Sequence, residues 1–125
     1  PIFVKDKQDK ELQVAMLQTK SIETEKILQH KKLFSLYETT KADLIRLKER
    51  QSLYLTKLLP QIYAQSEASL TAYTNDDGDF PEVVRSKISQ LNAQIDILNI
   101  NIDIQKNIVK YNYLFTDNAE NIVNR

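Results

Sequence analysis

The chain has 125 residues with one Gly, three Pro and no Cys, and its 17 basic residues balance 17 acidic ones. That length suits one domain and is short for two of ordinary size. A formal net charge of zero removes the electrostatic footprint of a nucleic-acid binder, and the lack of Cys excludes disulfides and thiolate metal sites.

Gly and Pro supply most turns, so a chain this poor in both has few turns and therefore few, long elements. Strong helix formers dominate, which sets the expected class as all-α. The longest unbroken apolar run is Val14 to Leu17, far short of the roughly 20 residues that span a bilayer. The opening Pro1-Ile2-Phe3-Val4 has no initiator Met and reads as the start of a piece of a larger protein, any targeting signal lying upstream.

Residues 1–5 favour an extended strand, because Ile2, Phe3 and Val4 are strand formers. Asp6 or Asp9 is placed to cap the helix that follows. From there to Thr74 there is no Gly, and the only Pro is Pro60. Thr39-Thr40 followed by Asp43 could start a new helix. The apolar register opposes that, since Leu33, Tyr37, Thr40, Leu44, Leu47, Gln51, Tyr54 and Leu58 keep alternating four-and-three spacing through the segment. The expectation is one long helix within residues 6–74, about 66 residues and on the order of 100 Å. Pro60 should kink it by removing the partner of the Thr56 carbonyl. Beyond Pro60 the stripe shifts by one, to Leu59, Ile62, Ser66, Leu70 and Tyr73, and small residues gather from Ala64 to Ala72.

Residues 75–79 form the one convincing turn, with Asp79 and Glu82 spaced as a capping box and Pro81 in the first turn of the next helix. A returning helix of about 36 residues should run over 80–115. Its regular seam is Val84, Ile88, Leu91, Ile95, Leu98, Ile102, Gln105, Val109 and Asn112. A second stripe, Ile97, Ile100, Ile104, Ile108, Tyr111 and Phe115, overlaps its later half. Two stripes imply at least two neighbours. Residues 116–125 read as a frayed tail. The expected architecture is a long antiparallel coiled-coil helical hairpin. The Leu12 to Leu36 stretch is left without an internal partner, so self-association is expected.

Little in the sequence points to catalysis. His30 is the only imidazole and sits among Gln29, Lys31 and Lys32, so a solvated surface histidine outweighs a metal ligand or base. The acidic Asp76-Asp77-Gly78-Asp79 fails as a calcium loop. Aligning Gly78 with the loop glycine puts Tyr73 and Val84 where carboxylates are required. One Gly cannot build a phosphate loop, and no nucleophile–base pair can be assembled. The chain is expected to have no catalytic residue, no metal and no cofactor.

Several landmarks occur in the order found in TolC-type outer-membrane efflux channels, in particular the heavy-metal or cation branch. Pro1-Ile2-Phe3 with Lys7-Gln8 resembles that branch's strand exit, and Leu58-Leu59-Pro60 its Leu-Leu-Pro. Ala72-Tyr73, Gly78-Asp79-Phe80 and Glu82-Val83-Val84 resemble its hairpin tip. Leu91 to Ile95 and Asn112-Tyr113-Leu114 are similar to its returning helix. The resemblance spans nearly the whole chain. It implies the second periplasmic hairpin of a homotrimer, part of the α-helical tunnel that forms the exit duct of a tripartite efflux pump. Residues 1–5 would be the stub of a barrel strand in the outer membrane. Tyr73 would lie at the tunnel entrance. Gly78, Asp79, Phe80, Glu82, Val83 and Val84 would dock a periplasmic adaptor (membrane fusion) protein that joins the duct to an inner-membrane pump. Gly78 and Arg85 stand where the best-known pattern has Arg and Asp, so its charged aperture lock does not transfer. The alternative is a structural or interaction coiled coil with no transport role.

Overall fold

The computed structural model describes residues 2–123. Those residues are helical apart from one short turn: α1 spans Ile2–Leu53, a π-helical turn spans Tyr54–Leu58, α2 spans Leu59–Thr74, and α3 spans Phe80–Val123. The chain does not reverse at Thr39 or Thr40. Their hydroxyls donate back to the carbonyls of Ser35 and Leu36, at 2.8 and 2.7 Å, and leave the helix intact.

Side chains on the two arms meet in pairs whose numbers fall on one arm as they rise on the other. Tyr73 packs on Phe80, Lys87 binds Glu67 at 3.0 Å, and Gln94 binds Tyr63. Farther from the turn, Tyr54 donates to Asp96 at 3.4 Å, Gln51 to Asn101 at 2.6 Å, and the Tyr37 and Tyr111 hydroxyls lie 2.7 Å apart. Among the described residues the buried apolar core is small: Val83, Ala93, Ile100, Ile104 and Leu114, all on α3. No described helix is long and apolar enough to cross a membrane.

The structure departs from expectation at the ends of the arms. Ile2 to Lys5 are helical rather than extended, and Pro1 lies outside the described residues. Strand propensity expresses packing on a sheet more than a backbone preference. Ile2, Phe3 and Val4 are exposed, so no ladder competes with the helix for their backbone groups. Asp6 and Asp9 are then interior helix residues, not caps. At the other end α3 does not stop at Phe115 but continues to Val123. The longer α3 covers more of α1, so the uncovered stretch ends near residue 29 instead of at Leu36.

Pro60 produces a change of helix type. The Leu59 N–H donates to the Tyr54 carbonyl, five residues back rather than four. A wider turn relieves the clash of the proline ring with the carbonyl four residues earlier. It also adds one residue to the helix without advancing the face, which accounts for the one-position slip in the stripe. Buried and half-buried positions run Gln51, Tyr54, Leu58 through the end of the π-turn and Leu59, Ile62, Ser66, Ser69, Ala72 after it. Ser69 and Ala72 replace Leu70 and Tyr73, which are exposed.

On α3 the two stripes exchange roles. The face against the long arm is Val83, Ser86, Gln90, Ala93, Ile97, Ile100, Ile104, Ile108, Tyr111 and Leu114. This is the second stripe, extended toward the turn and ending on Leu114 rather than Phe115. The more regular seam, Val84 to Val109, faces outward, with its apolar residues 39–69% exposed. Size decides between them. The tip half of the long arm offers Ser66, Ser69 and Ala72, and a small-residue surface is matched best by small residues opposite. Ser86 and Ala93 supply those.

Candidate functional site

Two regions stand out: the turn between the arms and the outer face of α3. The turn is built by backbone geometry. The Asp77 N–H donates to the Ala72 carbonyl at 2.9 Å and the Asp76 N–H to the Tyr73 carbonyl at 3.2 Å. This is the paired bonding of a Schellman stop, with Asp76 in the left-handed conformation at φ 59°. Such a position normally takes Gly. Asp is among the few side chains that tolerate it. Gly78 serves a different need, since its φ is not positive. A Cβ there would sit 2.9 Å from the Tyr73 backbone nitrogen and 3.1 Å from the Ala72 Cβ. The chain passes so close to the end of α2 that only Gly fits.

Asp79 then caps α3, its Oδ1 accepting the Glu82 N–H at 3.2 Å. The reciprocal half of the capping box is replaced by an ion pair, in which the Glu82 carboxylate lies 3.5 Å from Arg85. Both groups are largely exposed, so the pair adds little to stability. A shallow groove beside the turn is lined by Ser69, Ala72, Asp76, Asp77, Asp79 and Glu82. Among the described residues no group of three or more His, Cys, Asp or Glu is placed to hold a metal.

Tyr73, Gly78, Asp79, Phe80, Glu82, Val83 and Val84 all fall at this end, but not on one surface. Tyr73 and Phe80 are exposed and pack on each other, ring centroids 5.9 Å apart. Val84 begins the outer stripe of α3. Val83 is 8% exposed and belongs to the core between the arms, so it cannot anchor a partner while the hairpin stands. Asp79 and Gly78 are occupied in shaping the turn. The apolar surface open to a partner at the tip is therefore Tyr73, Phe80 and Val84.

At the far end, the Tyr37 and Tyr111 rings stack at 4.9 Å with their hydroxyls bonded. Sharing that bond raises the Tyr37 pKa above the ordinary tyrosine value, with smaller contributions from desolvation and from the charges of Tyr111 and Glu38. The tyrosines read from the sequence as ordinary core residues, and a 74-residue separation left no local signal for the pair. His30 is half-buried on α1.

The outer face of α3 is the larger feature. Ile88, Leu91, Ile95, Leu98 and Ile102 lie exposed in one stripe, a contiguous apolar surface of the kind that marks an interaction site. No matching family, curated protein or solved structure was found for this chain.

Proposed function

We propose that the two arms form an antiparallel coiled-coil hairpin that serves as a wall element. In this reading it is a periplasmic tunnel segment of a trimeric outer-membrane efflux channel, the exit duct of a tripartite pump. The observation that carries the reading is the outward stripe of α3. A helix with one neighbour needs one apolar stripe, and α3 has a second on a face that the long arm leaves free. A ring of hairpins packed side by side covers such a face on every copy. The short polar turn between exposed Tyr73 and Phe80 suits end-on contact with the periplasmic adaptor, through which the inner-membrane pump is reached.

The test places Phe80→Asp and Tyr73→Asp in the full-length protein and measures adaptor crosslinking and survival on exported toxicants. Both side chains are exposed, so the hairpin should fold and the trimer assemble. Crosslinking and survival should both fall. Normal values in both variants would refute the duct reading. A structural or interaction coiled coil without transport would also cover the outward stripe on assembly. In that case the tip variants are silent, and Leu91→Asp and Ile95→Asp act by loss of assembly.

A further inference from the structure

The outer stripe of α3 has a residue distribution that bears on its partner. Counted as a heptad seam, Ile88, Ile95, Ile102 and Val109 occupy the a positions, and Val84, Leu91 and Leu98 occupy d. All seven are exposed in the hairpin. β-Branched residues at a with Leu at d favour two parallel strands, whereas trimers and tetramers favour other distributions. The next two d positions are polar, Gln105 and Asn112. In a parallel, in-register pair each meets its own counterpart, amide to amide. In an antiparallel pair each a position faces a d position, so in the register that sets Leu98 against Ile102, Gln105 falls opposite Ile95 and Asn112 opposite Ile88. That would bury two amides against apolar side chains, which is costly without hydrogen-bond partners.

We infer that the outer face of α3 binds a second copy of this chain, parallel and in register, as a two-stranded coiled coil from Val84 to Asn112.

The flanking positions agree. In that register Lys87 faces Asn92 of the second copy, Gln94 faces Asn99, and Asn101 faces Lys106, so no like charges oppose one another. Lys87 is already held by Glu67 at 3.0 Å. The area also suffices. Seven large side chains at 39–69% exposure would bury on the order of 700 Å² from each copy, within the ~1,200–2,000 Å² total of stable specific interfaces. The long arm is not displaced, because it holds the other face through Ile97, Ile100 and Ile104. Residues 2–29 of α1 are a poorer partner, since Leu12, Val14, Met16, Leu17, Ile22 and Ile27 spread around their helix instead of forming one stripe. The inference does not rest on the duct reading. It concerns the 125-residue chain free of any neighbouring hairpin.

The experiment is analytical ultracentrifugation of the 125-residue chain from about 1 to about 100 µM, with two variants. The unaltered chain should be a dimer at the upper end. Ile95→Asp should weaken dimerisation about a hundredfold or more with helix content by circular dichroism unchanged. Leu91→Cys, in a chain with no other Cys, should oxidise to a covalent dimer, because parallel d positions face each other. In the antiparallel register Leu91 would face Val109, holding the two cysteines about 27 Å apart, beyond disulfide reach. A monomer throughout, a trimer, a dimer indifferent to Ile95→Asp, or a dimer whose Leu91→Cys form does not crosslink would each overturn the inference. None of these outcomes alters the tip-docking test.

Discussion

Ile100 and Ile102 are two residues apart on α3 and identical in chemistry, yet the structure gives them opposite roles. Ile100 is 3% exposed against the long arm and Ile102 is 44% exposed on the outer face. Ile→Ala at a closed core site costs about 2–5 kcal/mol, through lost transfer energy and the cavity left behind. A two-helix contact can partly collapse onto such a cavity, so Ile100→Ala should lie near the lower end, about 2–3 kcal/mol. Ile102→Ala removes a side chain already half in water and replaces it with a better helix former, so its cost should stay below about 1 kcal/mol. With a urea slope of about 1.5 kcal/mol per molar, the first change lowers the midpoint by more than about 1 M and the second by well under that. The assay is urea unfolding followed by circular dichroism at low micromolar concentration, repeated after tenfold dilution. Dilution removes any stabilisation of the outer face by a second copy, which follows mass action. Equal costs for the two variants at the lower concentration would refute the assignment of the inner and outer faces.

The turn makes two opposed predictions. Asp76→Gly relieves a left-handed residue at φ 59° and should stabilise by about 0.5–1 kcal/mol, whereas Gly78→Ala forces a Cβ to within 2.9 Å of backbone and should cost about 1–3 kcal/mol; thermal melts of the two variants should move in opposite directions. Deleting Lys57 together with Pro60→Ala should convert the π-turn to plain α-helix while both halves of the seam stay in phase, preserving a cooperative melt. Deleting Lys41 instead turns every residue on one side of the cut by about 100° relative to the other and should abolish cooperativity.

All-helical content, the unbroken passage through Thr39-Thr40 and the position of the turn were legible because each rests on a local signal: register, absence of Gly, and a cluster of Asn, Asp and Gly. The π-turn was half legible. The one-position slip after Leu58 recorded it, but Pro60 alone suggests a kink, and only the Leu59 to Tyr54 bond shows how the extra residue is absorbed. Which stripe of α3 faces the long arm was not legible, because both are apolar and the Val84 to Val109 seam is the more regular. The deciding property was size, and the cue lay on the other arm, in the run of small residues from Ala64 to Ala72. At the tip, Tyr73 and residues 78–84 are close in sequence and so fall at one end of the hairpin. Sequence spacing could not tell that Val83 faces inward while Phe80 and Val84 face out.

The division of sizes along the hairpin bears on how the two candidate surfaces relate. Near the turn the contact is made by Ser66, Ser69 and Ala72 against Val83, Ser86 and Ala93. Toward the open end it is made by Leu33, Tyr37, Leu44 and Leu47 against Ile100, Ile104, Tyr111 and Leu114. Helix separation follows the side chains at the contact, so the small residues of the tip half allow a closer approach of the arms than the large ones of the far half. The π-turn at Tyr54–Leu58 precedes the small-residue surface, with Leu59 and Ile62 between them, and its extra residue sets the face on which Ser66, Ser69 and Ala72 fall. Close approach leaves little apolar surface between the arms at the tip, and the hydrophobic residues of that half are turned outward: Tyr73, Phe80, Val84 and Ile88. Such an end contributes little to its own stability and presents most of its apolar side chains to a neighbour. That is the distribution expected where assembly, rather than the fold of a single chain, provides the remaining burial.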